Sequence, residues 1–154
     1  MAARTLASIA ELKGLLGQEL GVTDWLTITQ NRIQQFAEAT EDRQWIHVDP
    51  ERARRESPYH GTIAHGFLTL SLLSHFMKQV IDIQGLRMGV NYGLNRVRFP
   101  AAVPADTRIR ARVALQSVKE ISGVSEAVLS FTVEGEGSDK PCCVAEWIVR
   151  FYSD

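Results

Sequence analysis

The segment GFLTLSLLSHFMKQVI, residues 66–81, forms the longest apolar helix that the sequence predicts. Its apolar side chains fall on more than one stripe of the helix, so they cover most of its circumference. Such a helix has to be enclosed, because apolar surface exposed to water is unfavourable. We therefore expect this helix at the centre of the protein, with a sheet wrapped around it.

The second half of the chain changes from a helical to an alternating period. In residues 107–115 the odd positions form a largely apolar face, while Arg108, Arg110 and Arg112 share the opposite face. One face of this strand is therefore expected in the core and the other in water.

Two further segments, residues 124–133 and 143–151, repeat this alternation. Turn sequences at residues 121–123 and 135–139 separate them and predict hairpins. A fourth long strand is expected over residues 87–99. The pattern predicts an α+β fold in which a mostly antiparallel sheet of four long strands, plus a short early one, packs on the central helix.

Shorter elements are predicted before the central helix. A capping box at residues 8–11 indicates a short helix that stops at Gly17, and residues 24–29 predict a short extended segment. Thr29 can cap a helix over about residues 30–40, and Asp49-Pro50 can start a brief helix over residues 51–56.

Length and composition set broad limits. With 154 residues, 45% of them hydrophobic, the chain is expected to form a single domain over residues 1–154. A net charge of −1 favours neither nucleic acid nor acidic membranes as partners, although Arg52, Arg54 and Arg55 form a local basic run. We expect no nucleic-acid partner and no membrane span. The adjacent Cys142 and Cys143 predict neither a disulfide nor a zinc site, and the absence of a signal-peptide pattern predicts a cytoplasmic protein.

Two short segments carry the residues best suited to chemistry. Asp42 and His47 lie five residues apart and supply a proton acceptor and a group that changes charge near neutral pH. His65 and Gly66 open the central helix, whose first backbone N–H groups have no intrahelical partner. Those donors could stabilise a carbonyl oxygen that becomes negative during a reaction.

These segments resemble a known family. Residues 42–47 resemble the Asp-x-Asn-Pro-x-His signature of the MaoC-like dehydratases, the R-specific enoyl-CoA hydratases. Residues 29–30, 44–53, 62–67 and 91–100 are most similar to the nodulation-protein-N branch of that family. The resemblance spans nearly the whole chain and implies the hot-dog fold, in which an antiparallel sheet wraps around a long central helix.

The resemblance also implies a reaction. Water adds reversibly across the double bond of a trans-2-enoyl-CoA and gives the R-3-hydroxyacyl-CoA, with Asp42, His47 and the backbone amide of Gly66 as catalytic groups. Ser74 stands where relatives have a serine near the catalytic water or aspartate. The substrate-binding residues expected on this basis are Gln44, Trp45, His65, Phe67, Asn91, Tyr92 and Arg96.

Further expectations concern the substrate and partners. Trp45, Phe67 and Met77 are expected to bound the acyl pocket, and Arg55 or Arg96 to meet the CoA phosphates. No metal or organic cofactor is expected, because the histidines show no familiar metal-ligand spacing and the chemistry requires none. CoA or another acyl carrier forms part of the thioester substrate. By resemblance the protein is a homodimer whose strand around residues 91–96 lies near the partner or the CoA.

The sequence departs from the family signature at the position just before it and at two positions within it. Glu41 replaces the usual glycine before Asp42, and Gln44 and Trp45 replace the asparagine and the proline. Gln44 can still donate and accept hydrogen bonds, but its extra methylene changes how it reaches its neighbours.

Plainer explanations and rival functions remain open at this point. Asp42 could satisfy loop amides, His47 could be a packed histidine, His65 could anchor the turn into the helix, and Ser74 could bond to a helix carbonyl. A hot-dog thioesterase would bind the same acyl-CoA, although residues 66–81 hold no carboxylate for hydrolysis. A non-catalytic acyl-thioester-binding protein would keep the fold without turnover.

Overall fold

The structure is a computed structural model and describes residues 2–154. Its helices are α1 (Ile9–Lys13), α2 (Gln30–Thr40), α3 (Trp45–Val48), α4 (Pro50–Glu56), α5 (Gly66–Ser71) and α6 (Leu73–Val80). Its strands are β1 (Arg4–Leu6), β2 (Glu19–Val22), β3 (Leu26–Ile28), β4 (Ile81–Ile83), β5 (Leu86–Arg98), β6 (Thr107–Ile121), β7 (Val124–Gly135) and β8 (Cys143–Ser153).

The main sheet is antiparallel and contains the four long strands that the alternation predicts. Its strand order is β2-β6-β7-β8-β5, and β3 pairs with β6 as well. The β6–β7 hairpin turns at Ser122 and Gly123, both of which have positive φ angles. Strand β5 pairs only with β8 among these strands, so it lies at one edge of the sheet.

The helices α5 and α6 pack against this sheet. Leu68, Leu73, Phe76 and Val80 are buried in one core with apolar residues of β6, β7 and β8. The opposite face of β6 carries Arg108, Arg110 and Arg112, each paired with a glutamate. The predicted arrangement of one central helical segment on an antiparallel sheet, the hot-dog fold, is confirmed.

The central helix differs from its prediction in continuity and in enclosure. Leu72 interrupts it, because the amide of Leu72 donates to the carbonyl of Thr69, three residues back, over 3.2 Å. The helix ends at Val80, and Ile81 starts β4. Enclosure on all sides was the wrong expectation, since Phe67 is 70% exposed. A single sheet covers only one side of a helix, so the other side stays open.

Helix caps account for the boundaries of α2 and α4. The Thr29 hydroxyl accepts a hydrogen bond from the amide of Arg32 over 3.1 Å, and the Asp49 carboxylate accepts from the amide of Arg52 over 3.0 Å. Both predicted caps are confirmed. At α1 the capping box is wrong, because the Ser8 side chain makes no capping bond and the helix ends at Lys13, before Gly17.

The strands β1, β2 and β4 and the helix α3 were not predicted. Strands β1 and β4 pair in parallel, with Leu6 opposite Ile83, and tie the start of the described chain to the end of the central helix. Helix α3 forms directly after the Asp42 loop. Over residues 2–154 no helix combines the length and the apolar character needed to cross a bilayer.

Candidate active site

Hydrogen bonds join the loop around Asp42 to the segment before α5. The amide of Ile63 donates to the carbonyl of Ile46 over 3.0 Å, and Nδ1 of His47 lies 2.7 Å from the carbonyl oxygen of Ile63. The third bond links Nε2 of His65 to the backbone carbonyl oxygen of Asp42, at 2.9 Å. These contacts bring the two segments that carry the predicted catalytic residues against each other.

Asp42, His47 and His65 form a compact cluster. One imidazole nitrogen from each histidine and one carboxylate oxygen of Asp42 all lie within 4.8 Å of one another. The two imidazole rings stack with their centroids 3.8 Å apart and an angle of 23° between their planes. The histidines are 7% and 3% exposed, whereas Asp42 is exposed. The carboxylate therefore stands at the surface beside two buried imidazoles.

The contacts of His47 define its protonation. A carbonyl oxygen only accepts hydrogen bonds, so Nδ1 of His47 carries the proton given to Ile63 and Nε2 keeps its lone pair. Burial lowers the pKa of His47 from its usual 6.5. The hydrogen bond with the Ile63 carbonyl and the charge of Asp42 both raise the pKa of His47, whereas the nearby His65 lowers it further. His47 is thus neutral near pH 7, and its Nε2 is the ring nitrogen that can accept a proton.

His65 shows the complementary tautomer. Its Nε2 faces the carbonyl oxygen of Asp42, so Nε2 is the protonated nitrogen. Its Nδ1 is buried and has no hydrogen-bond partner among residues 2–154. Buried polar atoms without a partner are uncommon in folded proteins. This nitrogen is therefore an unusual feature at the centre of the cluster.

Gln30 is a site residue to which the sequence analysis assigned no role. Its side-chain amide donates to the backbone carbonyl of His47 over 2.8 Å, and its side-chain oxygen accepts a hydrogen bond from the Thr62 hydroxyl. Gln30 thereby connects α2 to both active-site segments. Its place beside the cap residue Thr29 was visible in the sequence, but no periodicity indicated these distant partners.

Gly66 begins α5 directly after His65. A Cβ atom added at Gly66 would lie 3.2 Å from atoms of the Phe99 ring, so glycine permits a close approach of that ring. The Phe99 ring in turn lies edge-on to Phe67, with 6.4 Å between centroids. The role of the Gly66 amide as an oxyanion donor stays a prediction.

A groove lies between the helices α5 and α6 and the strands β5 and β8. It consists of two adjoining cavities of about 340 and 370 Å³, which share Ser74, Asn91 and Trp147. The side-chain oxygen of Asn91 accepts a hydrogen bond from the indole N–H of Trp147 over 2.8 Å. Phe67 lines the first cavity and Met77 the second. We refer to these two cavities together as the helix groove.

Ser74 lies in the helix groove. Its described neighbours there include Asn91 and Trp147, and within residues 2–154 no hydrogen bond links it to Asp42 or His47. The structure thus brings Ser74 together with Asn91 and Phe67, but not through a direct bond with the acid–base cluster.

The remaining predicted substrate residues are dispersed. The backbone amide nitrogen of Gln44 lies 3.4 Å from a carboxylate oxygen of Asp42. The Arg52 guanidinium lies over the Trp45 ring, 4.3 Å from its centroid. The Arg150 guanidinium lies 3.6 Å from the centroid of the Tyr92 ring. Arg96 lines a separate small cavity between β5, β8 and β7.

The cluster also contains residue types that bind transition metals. The lone pair of an imidazole nitrogen lies in the plane of its ring, and a metal ion has to lie close to that plane. The stacked rings of His47 and His65 are 3.8 Å apart, so their lone pairs do not converge on one point between them. The arrangement suits proton transfer better than metal binding.

Comparisons with known proteins place the chain in a family. The family model described as "MaoC like domain" matches residues 11–135. The 3-hydroxyacyl-thioester dehydratase Z of Mycobacterium tuberculosis is 51% identical over 149 residues, which cover 96% of this chain and 98% of that protein. Nodulation protein N of Rhizobium leguminosarum bv. viciae is 47% identical over 150 residues, covering 96% and 92% of the two chains.

Solved structures show the same fold. The (R)-hydratase from A. caviae involved in PHA biosynthesis superimposes with a TM-score of 0.70, at 22% identity, over 87% of this chain and 94% of that one. The predicted resemblance to the nodulation-protein-N branch is confirmed. The chain belongs to the MaoC-like dehydratase family, in which it is a homologue of the hydro-lyase 3-hydroxyacyl-thioester dehydratase Z and of nodulation protein N.

Proposed function

We propose that this protein forms a single domain and is an R-specific enoyl-CoA hydratase. The observation that carries the proposal is the cluster in which a carboxylate oxygen of Asp42 and ring nitrogens of His47 and His65 lie within 4.8 Å of one another. The name of its relative, 3-hydroxyacyl-thioester dehydratase Z, describes the reverse direction, the removal of water from a 3-hydroxyacyl thioester. Activity on a CoA thioester and the R stereochemistry are the parts that the experiments below test.

Asp42 and His47 together gain and lose one proton in each reaction cycle. In hydration the water oxygen bonds to C3 while Nε2 of His47 takes one water proton, and C2 receives one proton from the pair. The pair thus ends with the protons it started with, and dehydration follows the same steps in reverse. The negative charge of Asp42 favours the protonated form of His47, as it raises the pKa of that histidine. Asp42 therefore stabilises the imidazolium that forms transiently and can orient the water.

Electron density moves onto the thioester oxygen as water attacks C3. The amide of Gly66 opens α5, and the first amides of a helix have no intrahelical partner. A donor aimed at this oxygen stabilises the transition state by a few kcal/mol, about 3 for a single well-placed donor. We assign this role to Gly66.

The helix groove fits the acyl chain. It lies on the same helical segment that Gly66 begins, and its walls include Phe67, Leu94 and Met77, with Ser74 and Asn91 as polar groups. Pockets for small molecules usually combine apolar walls with a few polar groups in this way. No cofactor enters the proposed reaction, and the CoA remains part of the substrate.

We also infer that the protein is a homodimer. Strand β5 is an edge strand, and its exposed residues include Met88, Val90, Tyr92 and Leu94. An exposed apolar edge strand favours pairing with another chain. A second copy placed along β5 would also cover the open side of the helix groove, which Asn91 and Leu94 of that strand line.

A cytoplasmic location is part of the proposal as well. Burial raises the pKa of the Cys142 thiol to about 12 and that of the Cys143 thiol to about 11, and both cysteines are free. Unreactive free thiols fit a reducing compartment. Recovery of the protein outside the cytoplasm after cell fractionation would contradict this inference.

The test is an assay of purified protein with crotonyl-CoA and longer trans-2-enoyl-CoAs. Loss of the enoyl absorbance without release of free CoA, together with the R-3-hydroxyacyl product on chiral analysis, supports the proposal. Release of free thiol would identify a thioesterase, and binding without either product a non-catalytic acyl-binding protein. Parallel reactions with the same acyl groups on an acyl carrier protein decide which carrier the enzyme prefers.

A further inference from the structure

We propose that His65 is a positioning residue, whose Nε2–H holds the backbone carbonyl of Asp42 and thereby keeps the carboxylate beside His47. The inference rests on the proposed hydration reaction and assigns a role to a residue in that same site. His65 was expected to contact substrate or to anchor a turn. The geometry points to a function exerted through its two neighbours.

The Asp42 side chain is exposed and weakly held. Glu41 just before it has a left-handed backbone with φ of 65°. Among residues 2–154, the Asp42 side chain accepts only a long hydrogen bond of 3.4 Å, from the backbone amide of Gln44. By contrast, the bond from His65 to the Asp42 carbonyl is 2.9 Å long and comes from a buried ring. The bond from His65 is the shorter of the two, and its donor belongs to a buried side chain.

The His65 ring, by contrast, is packed in place. The ring is 3% exposed, stacks on His47 at 3.8 Å and lies 4.9 Å from the Phe36 ring, between centroids. Its backbone precedes α5, and its carbonyl accepts a hydrogen bond from the amide of Leu68. A buried ring in contact with two other aromatic rings transmits its position to the group that its N–H contacts.

Nδ1 of His65 is buried and has no hydrogen-bond partner in the part of the chain that the structure describes. A phenylalanine would pack at this position without burying a nitrogen that lacks a partner, and an unsatisfied buried polar atom is unfavourable. Packing therefore gives no reason for a histidine here. The one hydrogen bond that the ring makes in the described structure, to the Asp42 carbonyl, gives a reason.

Two substitutions separate the N–H from the ring. His65→Phe keeps an aromatic ring against His47 and removes the donor, whereas His65→Gln can place an amide N–H where Nε2 lies but has no ring. We expect His65→Phe to lower kcat for enoyl-CoA hydration by about 10²-fold with KM nearly unchanged, because a displaced carboxylate misaligns the water. His65→Gln is expected to restore most of that loss.

Unchanged kcat in His65→Phe, an equal loss of kcat in both variants, or a change confined to KM would overturn the proposal. Circular dichroism of both variants is the check for folding.

A second measurement does not depend on activity. ¹⁵N NMR of the imidazole rings in the wild-type protein should show His65 protonated at Nε2 and His47 protonated at Nδ1. The opposite tautomer at His65 would overturn the proposed bond to Asp42, even if His65→Phe fails to fold. Absence of hydration by the wild-type protein, with the expected tautomers present, would instead reject the proposed function and leave the bond standing.

Discussion

The side-chain amide of Gln30 donates a hydrogen bond to the backbone carbonyl of His47, with 2.8 Å between nitrogen and oxygen. The oxygen of the same amide accepts from Thr62, in the segment that leads to His65. One side chain at the start of α2 therefore supports both of the segments on which the acid–base residues lie.

Replacement of Gln30 tests this support. Gln30→Leu leaves the His47 carbonyl and the Thr62 hydroxyl without these partners, so we expect the free energy of unfolding to fall by about 1–3 kcal/mol. Urea denaturation measures the change, and kcat should fall as well because His47 loses an anchor. Gln35→Leu, at an exposed position of the same helix, is the control and should stay within about 0.5 kcal/mol of wild type. Equal stability of the two variants would show that the Gln30 contacts contribute nothing.

The acid–base pair can be tested by near-isosteric changes. Asp42→Asn and His47→Gln should each lower kcat by about 10²–10⁴-fold, the range that general acid–base catalysis contributes. Circular dichroism should show an unchanged fold. The exposed His75 and Asp139 supply controls, since His75→Gln and Asp139→Asn should leave kcat unchanged. Near-normal hydration by both active-site variants would remove the assignment.

The lowered pKa of His47 predicts a pH dependence of activity. His47 has to be neutral to accept a proton, and burial moves its pKa below 6.5. The acidic limb of the kcat profile should therefore lie below pH 6.5, and a limb above that value would contradict the assignment of His47 as the base.

The same shift predicts a pH dependence of stability. The unfolded chain binds a proton at His47 near pH 6.5, whereas the folded protein binds it only at lower pH. Folding stability from this group is therefore complete above pH 6.5 and decreases as the pH falls towards the folded pKa. Thermal unfolding at several pH values should show a smaller decrease across this window in His47→Gln than in wild type.

Glu41 occupies a position whose backbone favours glycine, since its φ is 65°. A left-handed conformation costs a non-glycine residue about 1–2 kcal/mol, while glycine lowers stability by about 0.4–1 kcal/mol through the unfolded chain. Glu41→Gly should therefore raise the free energy of unfolding by up to about 1.5 kcal/mol. Glu41→Ala removes the same exposed ion pair with Arg43 without relieving the backbone, so it should not stabilise the protein. Equal effects of the two changes would argue against backbone strain.

The proposed dimer predicts a defined effect of charge on the sheet edge. Val90→Lys places a charge on the exposed face of β5 and should convert a dimer into monomers, measured by size-exclusion chromatography with light scattering. Leu16→Lys introduces the same charge at an exposed apolar residue away from β5 and should leave the dimer intact. A wild-type monomer would reject the proposal directly.

The four long strands and the caps of α2 and α4 were predictable because their signals are local. Alternation along β6 requires only that one face of a strand is dry, and the Thr29 and Asp49 caps require only a side chain three residues before the amide it satisfies. The break at Leu72 and the parallel pairing of β1 with β4 were not predictable in this way. They depend on where the central helix meets the ends of other elements.

The sequence by itself determined the long strands, the caps of α2 and α4, the presence of an acidic residue and a histidine five positions apart, and the family. Only the tertiary structure decided that His65 stacks on His47, that Gln30 supports both segments, and that Ser74 lies in the helix groove. The physical reason is that propensity and periodicity act between neighbours in the chain. The hydrogen bonds and ring contacts of the site join residues from separate segments, so they form only when the helix and the sheet pack together.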